Sequence, residues 1–167
     1  MVFAMREYPR NGQYHPTWGD RPDGRRIRTL PAMASVSPYI MPNRNGASNL
    51  LRDSIEISAM ERYVREKRKE GLHNFGLTHV LLAAYVRCVA QYPQINRFLS
   101  GQKVYSRDDD IQFCMIVKTE MTVEAPDTAI KLHLKPSDTV YEVYEKFNTA
   151  VEEVKKGELD SDFDNTA

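Results

Sequence analysis

The chain has 167 residues, of which 41% are hydrophobic and 28% are charged, a composition typical of an ordinary folded domain. Lys and Arg total 23 and Asp and Glu total 23, so the absence of net charge argues against nucleic acid as a partner. No apolar run reaches the roughly 20 residues that a membrane span needs, so we expect no membrane-spanning segment. Cys88 and Cys114 lie among apolar residues and form no Cys-x-x-Cys pair, so we expect reduced core cysteines and a cytoplasmic protein.

The amino-terminal third is poor in regular patterns. Residues 1–30 are rich in Gly, Pro and Asn and show neither a two-residue nor a 3.6-residue period, so they predict an extended arm. Residues 32–41 predict a strand with Pro38 at an edge or bulge, and residues 54–57 predict a second, short strand.

Two helices are predicted next. Ser58 is the expected N-cap of the first, because Glu61 follows three residues later as in a capping box. Four residues mark its buried side: Met60, Tyr63, Val64 and Lys67. Residues 76–91 give the clearest helical period in the chain. That period predicts a buried face, packed against a strand at 111–117, that includes Leu81, Ala84, Tyr85 and Cys88.

The remaining elements are strands and one long helix. Strands are predicted at 104–105, 111–121 and 129–134, and the second is apolar on both faces over 111–117, as in a sheet covered on both sides. Ser137 is the expected cap of the last helix, which carries an apolar stripe: Val140, Val143, Tyr144, Phe147, Val151 and Val154. The order predicts an α/β domain of two layers at 31–157, with helices covering a mixed sheet and an acidic tail or truncated continuation at 158–167.

The sequence contains no complete catalytic motif. It has four histidines (His15, His73, His79 and His133), and no two have the four-residue spacing of a zinc-binding helix, so we expect no metal. His79 on the central helix and His133 near a sheet cleft are candidate general bases. The alternative for each of them is a purely structural role. The acidic run at 108–110 is interpreted as a solvated turn.

Five segments, taken in order, resemble the first half of the chloramphenicol acetyltransferase fold, which the catalytic domains of dihydrolipoyl acyltransferases of 2-oxoacid dehydrogenase complexes share. The segments are Ile-Glu-Ile-Ser at 55–58, the apolar helix positions 81, 83 and 86, Tyr-Pro-Gln-Ile-Asn at 92–96, Gly-Gln-Lys-Val-Tyr at 101–105, and Pro-Ser-Asp-Thr at 136–139. Upstream of them, Arg-Pro-Asp-Gly-Arg-Arg at 21–26 resembles a less studied bacterial branch of this family. The matching region from 54 to 158 covers about two-thirds of the chain.

The resemblance implies a CoA-dependent acyltransferase that moves an acyl group from acyl-CoA to a hydroxyl or thiol acceptor. It also implies a homotrimer with coenzyme A as co-substrate. The family's base is the histidine of a His-x-x-x-Asp motif, and this chain contains no such motif. We therefore expect a fragment or half-fold that is inactive alone. Arg25 or Arg26 would match the arginine that pairs with the motif's aspartate and supports the histidine loop, with a solvated arm arginine as the alternative. Two other functions stay open for the same fold: a non-catalytic oligomerisation or scaffolding module, and a small-molecule binding domain.

Overall fold

A computed structural model describes residues 17–118 and 127–156 of the chain. These residues form two compact units, each assembled from two separate stretches. Unit 1 comprises residues 17–52 and 93–109, and unit 2 comprises residues 53–92, 110–118 and 127–156. Both units combine helices with antiparallel strands, which confirms the predicted α/β class. In the part of the chain that the structure describes, every helix is too short or too polar to cross a membrane.

Unit 1 is built on a three-stranded antiparallel sheet. Its strands are β1 (Arg25–Arg26), β2 (Arg97–Ser100) and β3 (Lys103–Ser106), and β3 lies between the other two. Gly101 and Gln102 connect β2 to β3 with φ values of 52° and 63°. Positive φ at both central residues is the requirement of a type I′ hairpin turn, whose twist matches that of the strands it joins. A short 3-10 helix at Pro93–Asn96 leads into β2.

Residues 32–41, predicted as a strand, form helix α1 (Ala32–Ile40), and a short helix α2 (Arg44–Ala47) follows. The first residues of α1 are Ala and Met, which favour helix, and the Ser35 N–H bonds to the Pro31 carbonyl at 3.1 Å. Pro38 removes only one backbone hydrogen bond near the end of this short helix. The strand prediction was therefore wrong.

Unit 2 consists of a β-hairpin and three helices. The strands are β4 (Ile111–Lys118) and β5 (Asp127–Leu134), which pair antiparallel at all eight positions. The helices are α3 (Ser58–Lys69), α4 (Leu77–Gln91) and α5 (Val140–Lys156). The described residues thus form two antiparallel sheets in place of the predicted mixed sheet, and the predicted strand residues 119–121 lie outside them. Residues 54–57 form no strand, since no other strand pairs with them in the described chain.

The core of unit 2 lies between one face of the hairpin and helices α4 and α5. Its buried residues are Leu82, Val86, Val89, Ile111, Leu132, Leu134 and Val143. The other face of β4 is open, because the side chain of Ile116 is 68% exposed and Cys114 is exposed as well. The prediction that 111–117 is buried on both faces was therefore wrong, as was a core position for Cys114; Cys88 is half-buried.

Helix α4 buries a different face from the predicted one. Leu82, Val86 and Val89 are buried, whereas Leu81 is 62% exposed and Tyr85 is 38% exposed. Ala84 is also exposed. The only charged residue in α4 is Arg87, so apolar residues surround most of the helix and the period cannot select the buried side.

The helix starts also differ from the predicted caps. At the start of α3 the side chain that accepts a backbone N–H is that of Glu56 rather than Ser58, since Glu56 Oε1 accepts the Ser58 N–H at 2.8 Å. At α5 the cap is Thr139 rather than Ser137: Glu142 Oε2 accepts the Thr139 N–H at 2.7 Å, and Thr139 Oγ1 accepts the Glu142 N–H at 3.4 Å. This reciprocal pair is a capping box two residues beyond the predicted position. The predicted stripe of α5 is confirmed, with Val143 and Val154 buried and the rest half-buried.

Candidate functional site

The open face of the β4–β5 hairpin carries a histidine oriented by a carboxylate. The strand register places Gln112 directly opposite His133, and Asp110 immediately precedes β4. His133 Nδ1 lies 2.8 Å from Asp110 Oδ1, while the Gln112 amide donates to Asp110 Oδ2 at 2.6 Å. Each oxygen of the Asp110 carboxylate therefore has a defined partner, and the imidazole is fixed relative to the sheet.

The hydrogen bond to Asp110 decides which ring nitrogen of His133 is available. Because a carboxylate only accepts, Nδ1 must carry the proton, and Nε2 then keeps its lone pair in the neutral ring. The His133 side chain is 58% exposed and that of Asp110 is 42% exposed, so a molecule from solution can reach Nε2. An imidazole oriented in this way can act as a general base toward a hydroxyl or thiol.

Two further reactive side chains share this face of the hairpin. Lys131 is exposed and lies two residues before His133, a separation of about 7 Å along the strand. Cys114 is exposed, lies directly opposite Lys131, and is the diagonal neighbour of His133, at a typical distance of about 7–8 Å. An ammonium group at this distance can stabilise negative charge that develops on a substrate oxygen beside the base.

His79 has a structural environment. It is 4% exposed, and its Nδ1 accepts the backbone N–H of Gly76 at 3.0 Å, which satisfies a free donor at the start of α4. Three aromatic rings surround the imidazole, with centroids 5.2 Å away for Phe75, 5.2 Å for Tyr144 and 4.7 Å for Phe147. Burial lowers the pKa of His79 below its ordinary value, so the ring is neutral. A substrate cannot approach a ring that is closed in this way.

The other ring nitrogen of His79, Nε2, faces the side-chain amide of Asn148 on α5. Nε2 of His79 and Nδ2 of Asn148 are both donors, and neither has a hydrogen-bond partner within the described part of the chain. If the oxygen and nitrogen of the Asn148 amide exchange places, Oδ1 can accept the Nε2–H of His79. A hydrogen bond between these two side chains raises the pKa of His79 and so partly offsets the lowering that burial causes. Nδ1 of His79 thus bonds the first turn of its own helix, while Nε2 faces the Asn148 amide of α5.

Arg25 stabilises the turn that follows β3. Its guanidinium makes a bidentate pair with Asp108, at 2.8 Å from Nε and 2.6 Å from Nη2, and its side chain is only 10% exposed. Asp108 has a φ of 51°, a left-handed conformation that costs energy in a residue with a side chain. Its backbone N–H also bonds to Ser106 Oγ and its carbonyl accepts from the Asn96 amide, both at 3.1 Å. The pairing of Arg25 with an aspartate of a catalytic motif stays a prediction.

Arg26 contributes to unit 1 through its backbone. Its N–H bonds to Asp20 Oδ1 at 2.8 Å, and the same carboxylate accepts from the Thr17 N–H through Oδ2 at 2.8 Å. Asp20 therefore closes the loop that precedes β1. Support of a catalytic loop by the Arg26 side chain likewise stays a prediction.

The described residues offer little else that could form a binding site. A shallow depression of about 440 Å³ is lined by residues 40–46 alone, a single segment that brings no distant groups together and contains one ionisable side chain, Arg44. Among residues 17–118 and 127–156, no group of three His, Cys, Asp or Glu side chains could hold a metal ion. The hairpin face is therefore the best candidate site.

No family model, curated protein or solved structure matches this chain at significant similarity. Sequence reasoning identified His133 but missed its partner, because it interpreted the acidic run at 108–110 as solvated turn. The available signal was the alternation of Lys131, His133 and Lys135 with apolar residues in β5, which predicts an outward-facing histidine.

Proposed function

We propose that the chain is a CoA-dependent acyltransferase module of the 2-oxoacid dehydrogenase acyltransferase and chloramphenicol acetyltransferase type, with His133 as its general base. Its substrates would be an acyl-CoA and a hydroxyl or thiol acceptor. The ordered sequence resemblance supports the reaction class. The observation that carries the choice of base is the 2.8 Å contact between His133 Nδ1 and Asp110 Oδ1, which leaves Nε2 available on an open face.

The proposed reaction uses three side chains of the hairpin. The acceptor's O–H or S–H gives its proton to His133 Nε2, and the acceptor attacks the thioester carbonyl carbon. Asp110 stabilises the imidazolium that forms, as the carboxylate of a catalytic triad does. The ammonium of Lys131 stabilises the tetrahedral oxyanion. Collapse of the intermediate breaks the carbon–sulfur bond, and the CoA thiolate leaves with the proton held on Nε2.

The exposure of His133 and Asp110 to solvent limits the rate of acyl transfer that we expect. The sequence predicts an inactive chain, because it contains no His-x-x-x-Asp motif. With His133 as a base at a different position, we expect turnover instead. This turnover should be slow, because the open hairpin face neither excludes water nor confines the substrate. Water should therefore compete with the acceptor, and hydrolysis of acyl-CoA should accompany transfer.

The direct test measures thiol release from acetyl-CoA with thiol and hydroxyl acceptors. We expect His133→Gln to lower the rate above the uncatalysed reaction by about 10²-fold or more, the usual contribution of a general base. Asp110→Asn should also lower it, because the amide can hold Nδ1 without the charge that stabilises imidazolium. His73→Gln is the matched control, since His73 is exposed and far in sequence from the hairpin. Turnover that His133→Gln leaves unchanged would contradict the role of His133, and a wild-type rate equal to the blank would contradict the activity itself.

A non-catalytic assembly module is the second candidate function, and the surface of α4 favours it. Leu81 is 62% exposed on a helix that is otherwise central to unit 2, and Leu77 and Tyr85 are each 38% exposed beside it. Exposed apolar surface of this kind marks a binding face. Light scattering over a dilution series tests this candidate: self-association supports it, a trimer agrees with the resemblance, and a monomer at all concentrations contradicts it.

A further inference from the structure

The outward face of α4 is a continuous apolar stripe. Its members are Leu77, Leu81, Ala84, Tyr85 and Cys88, with Tyr92 immediately after the helix end. At 3.6 residues per turn these six positions fall within an arc of about 100°. None of them is charged, and four have exposed fractions between 38% and 62%. The stripe lies well away from the buried face formed by Leu82, Val86 and Val89.

The spacing of this stripe is the same when read from either end. Successive members are separated by four, three, one, three and four residues. Every member therefore has a counterpart about one midpoint, which lies between Ala84 and Tyr85. Two antiparallel copies of α4, related by a two-fold axis through that midpoint, would place each stripe residue at the same level along the helix axis as its counterpart in the other copy. A self-complementary patch of this kind is the property of an isologous interface.

We propose that the α4 stripe binds a second copy of this chain in an antiparallel, two-fold pair. Leu77 would contact Tyr92 of the second copy, and Leu81 would contact its Cys88. Near the midpoint, Ala84 and Tyr85 lie on opposite edges of the stripe, so Ala84 would face Ala84 of the second copy and allow the two backbones to approach closely along that edge. Within α4 itself the stripe brings no like charges together, since Arg87, the one charged residue of the helix, lies outside it.

The size of the stripe sets the expected strength of this pair. A single helix face buries less than the roughly 800 Å² per partner of a standard interface. We therefore expect a weak dimer that forms with increasing concentration. The inference rests on the second candidate function and is independent of acyl transfer, because α4 supplies no residue to the hairpin site.

The first test measures the dimer directly by sedimentation equilibrium of the full chain. Leu81→Asp places two charges in the contact and should raise the dissociation constant by at least about tenfold. Ile116→Asp is the matched control, because Ile116 is 68% exposed in the same unit but lies on the hairpin. It should leave association unchanged. Far-UV circular dichroism of both variants checks that they fold.

The second test fixes the register with disulfides in a Cys114→Ser background. Leu81→Cys should form a covalent dimer with the native Cys88 of the second copy on mild oxidation. The two copies of position 81 would lie about 10 Å apart along the helix axes, beyond the roughly 7 Å reach of a disulfide. Removing the partner with Cys88→Ser should therefore abolish cross-linking.

Cross-linking that depends on Cys88, together with weakening by Leu81→Asp, supports the pair. Self-association without these effects, or as a trimer through another surface, overturns this register and leaves the second candidate function in place. A monomer at all concentrations overturns both.

Discussion

Two adjacent leucines of α4 provide a sharp test of the packing of unit 2. Leu82 is 2% exposed in the core and Leu81 is 62% exposed on the outer face, although both belong to the same helix and can be changed to the same residue. The helical propensity gained by Leu→Ala is equal at the two positions. Any difference between the two variants therefore measures burial.

The expected magnitudes come from the buried fractions. Leu→Ala removes three carbons, worth about 2.4 kcal/mol of transfer free energy when the side chain is fully buried. At Leu82 the cavity adds to this, so we expect the free energy of unfolding to fall by about 3 kcal/mol or more. At Leu81 only about two-fifths of the side chain is buried and no cavity forms, so the loss should be about 1 kcal/mol or less.

Urea unfolding followed by far-UV circular dichroism measures both values. The protein should be kept dilute, because a dimer formed through α4 would add to the apparent contribution of Leu81. If Leu81→Ala lowers the free energy of unfolding as much as Leu82→Ala does, or more, the side of α4 that carries Leu82 is not the buried one. That result would instead support the face that the apolar period predicts.

Two further perturbations test each unit separately. In unit 1, a Cβ at Gly24 would lie 2.6 Å from Cε1 of Phe98, whose ring is stacked on Tyr105 at 5.5 Å, so Gly24→Ala should lower the free energy of unfolding by about 1–3 kcal/mol. Gly46→Ala, which meets nothing within 4 Å, is the control in the same urea experiment, and equal effects would contradict the argument. In unit 2, burial lowers the pKa of His79 from its ordinary value of 6.5, so its stabilising contribution is complete above that pH and declines as the pH falls toward the folded-state pKa. His79→Gln should flatten this part of the stability profile in urea melts at stepped pH, and an unchanged slope would show that the ring does not titrate with unfolding.

Sequence patterns located the helices of unit 2 well, because their apolar residues recur with the helical period. Helix α4 shows where that information ends. With Arg87 as its only charge, α4 has apolar residues on opposite sides, and both sides satisfy the same period. Tertiary contacts with β4, β5 and α5 decide that the side of Leu82 is buried. The error at 32–41 has a related cause, since a short apolar segment with serines fits either a strand or a helix.

The hairpin site shows why a partner can remain hidden when its histidine is found. In β5 the alternation of Ile130, Leu132 and Leu134 with polar residues assigns His133 to the outer face from sequence alone. A shift of one residue in the pairing would turn those three side chains outward, so their burial fixes the register of β5 against β4. That register in turn places the start of β4 beside His133, and Asp110 is the carboxylate at this point. The sequence contains both residues, but Asp110 and His133 are 23 positions apart, and their contact is not evident until the two strands are paired.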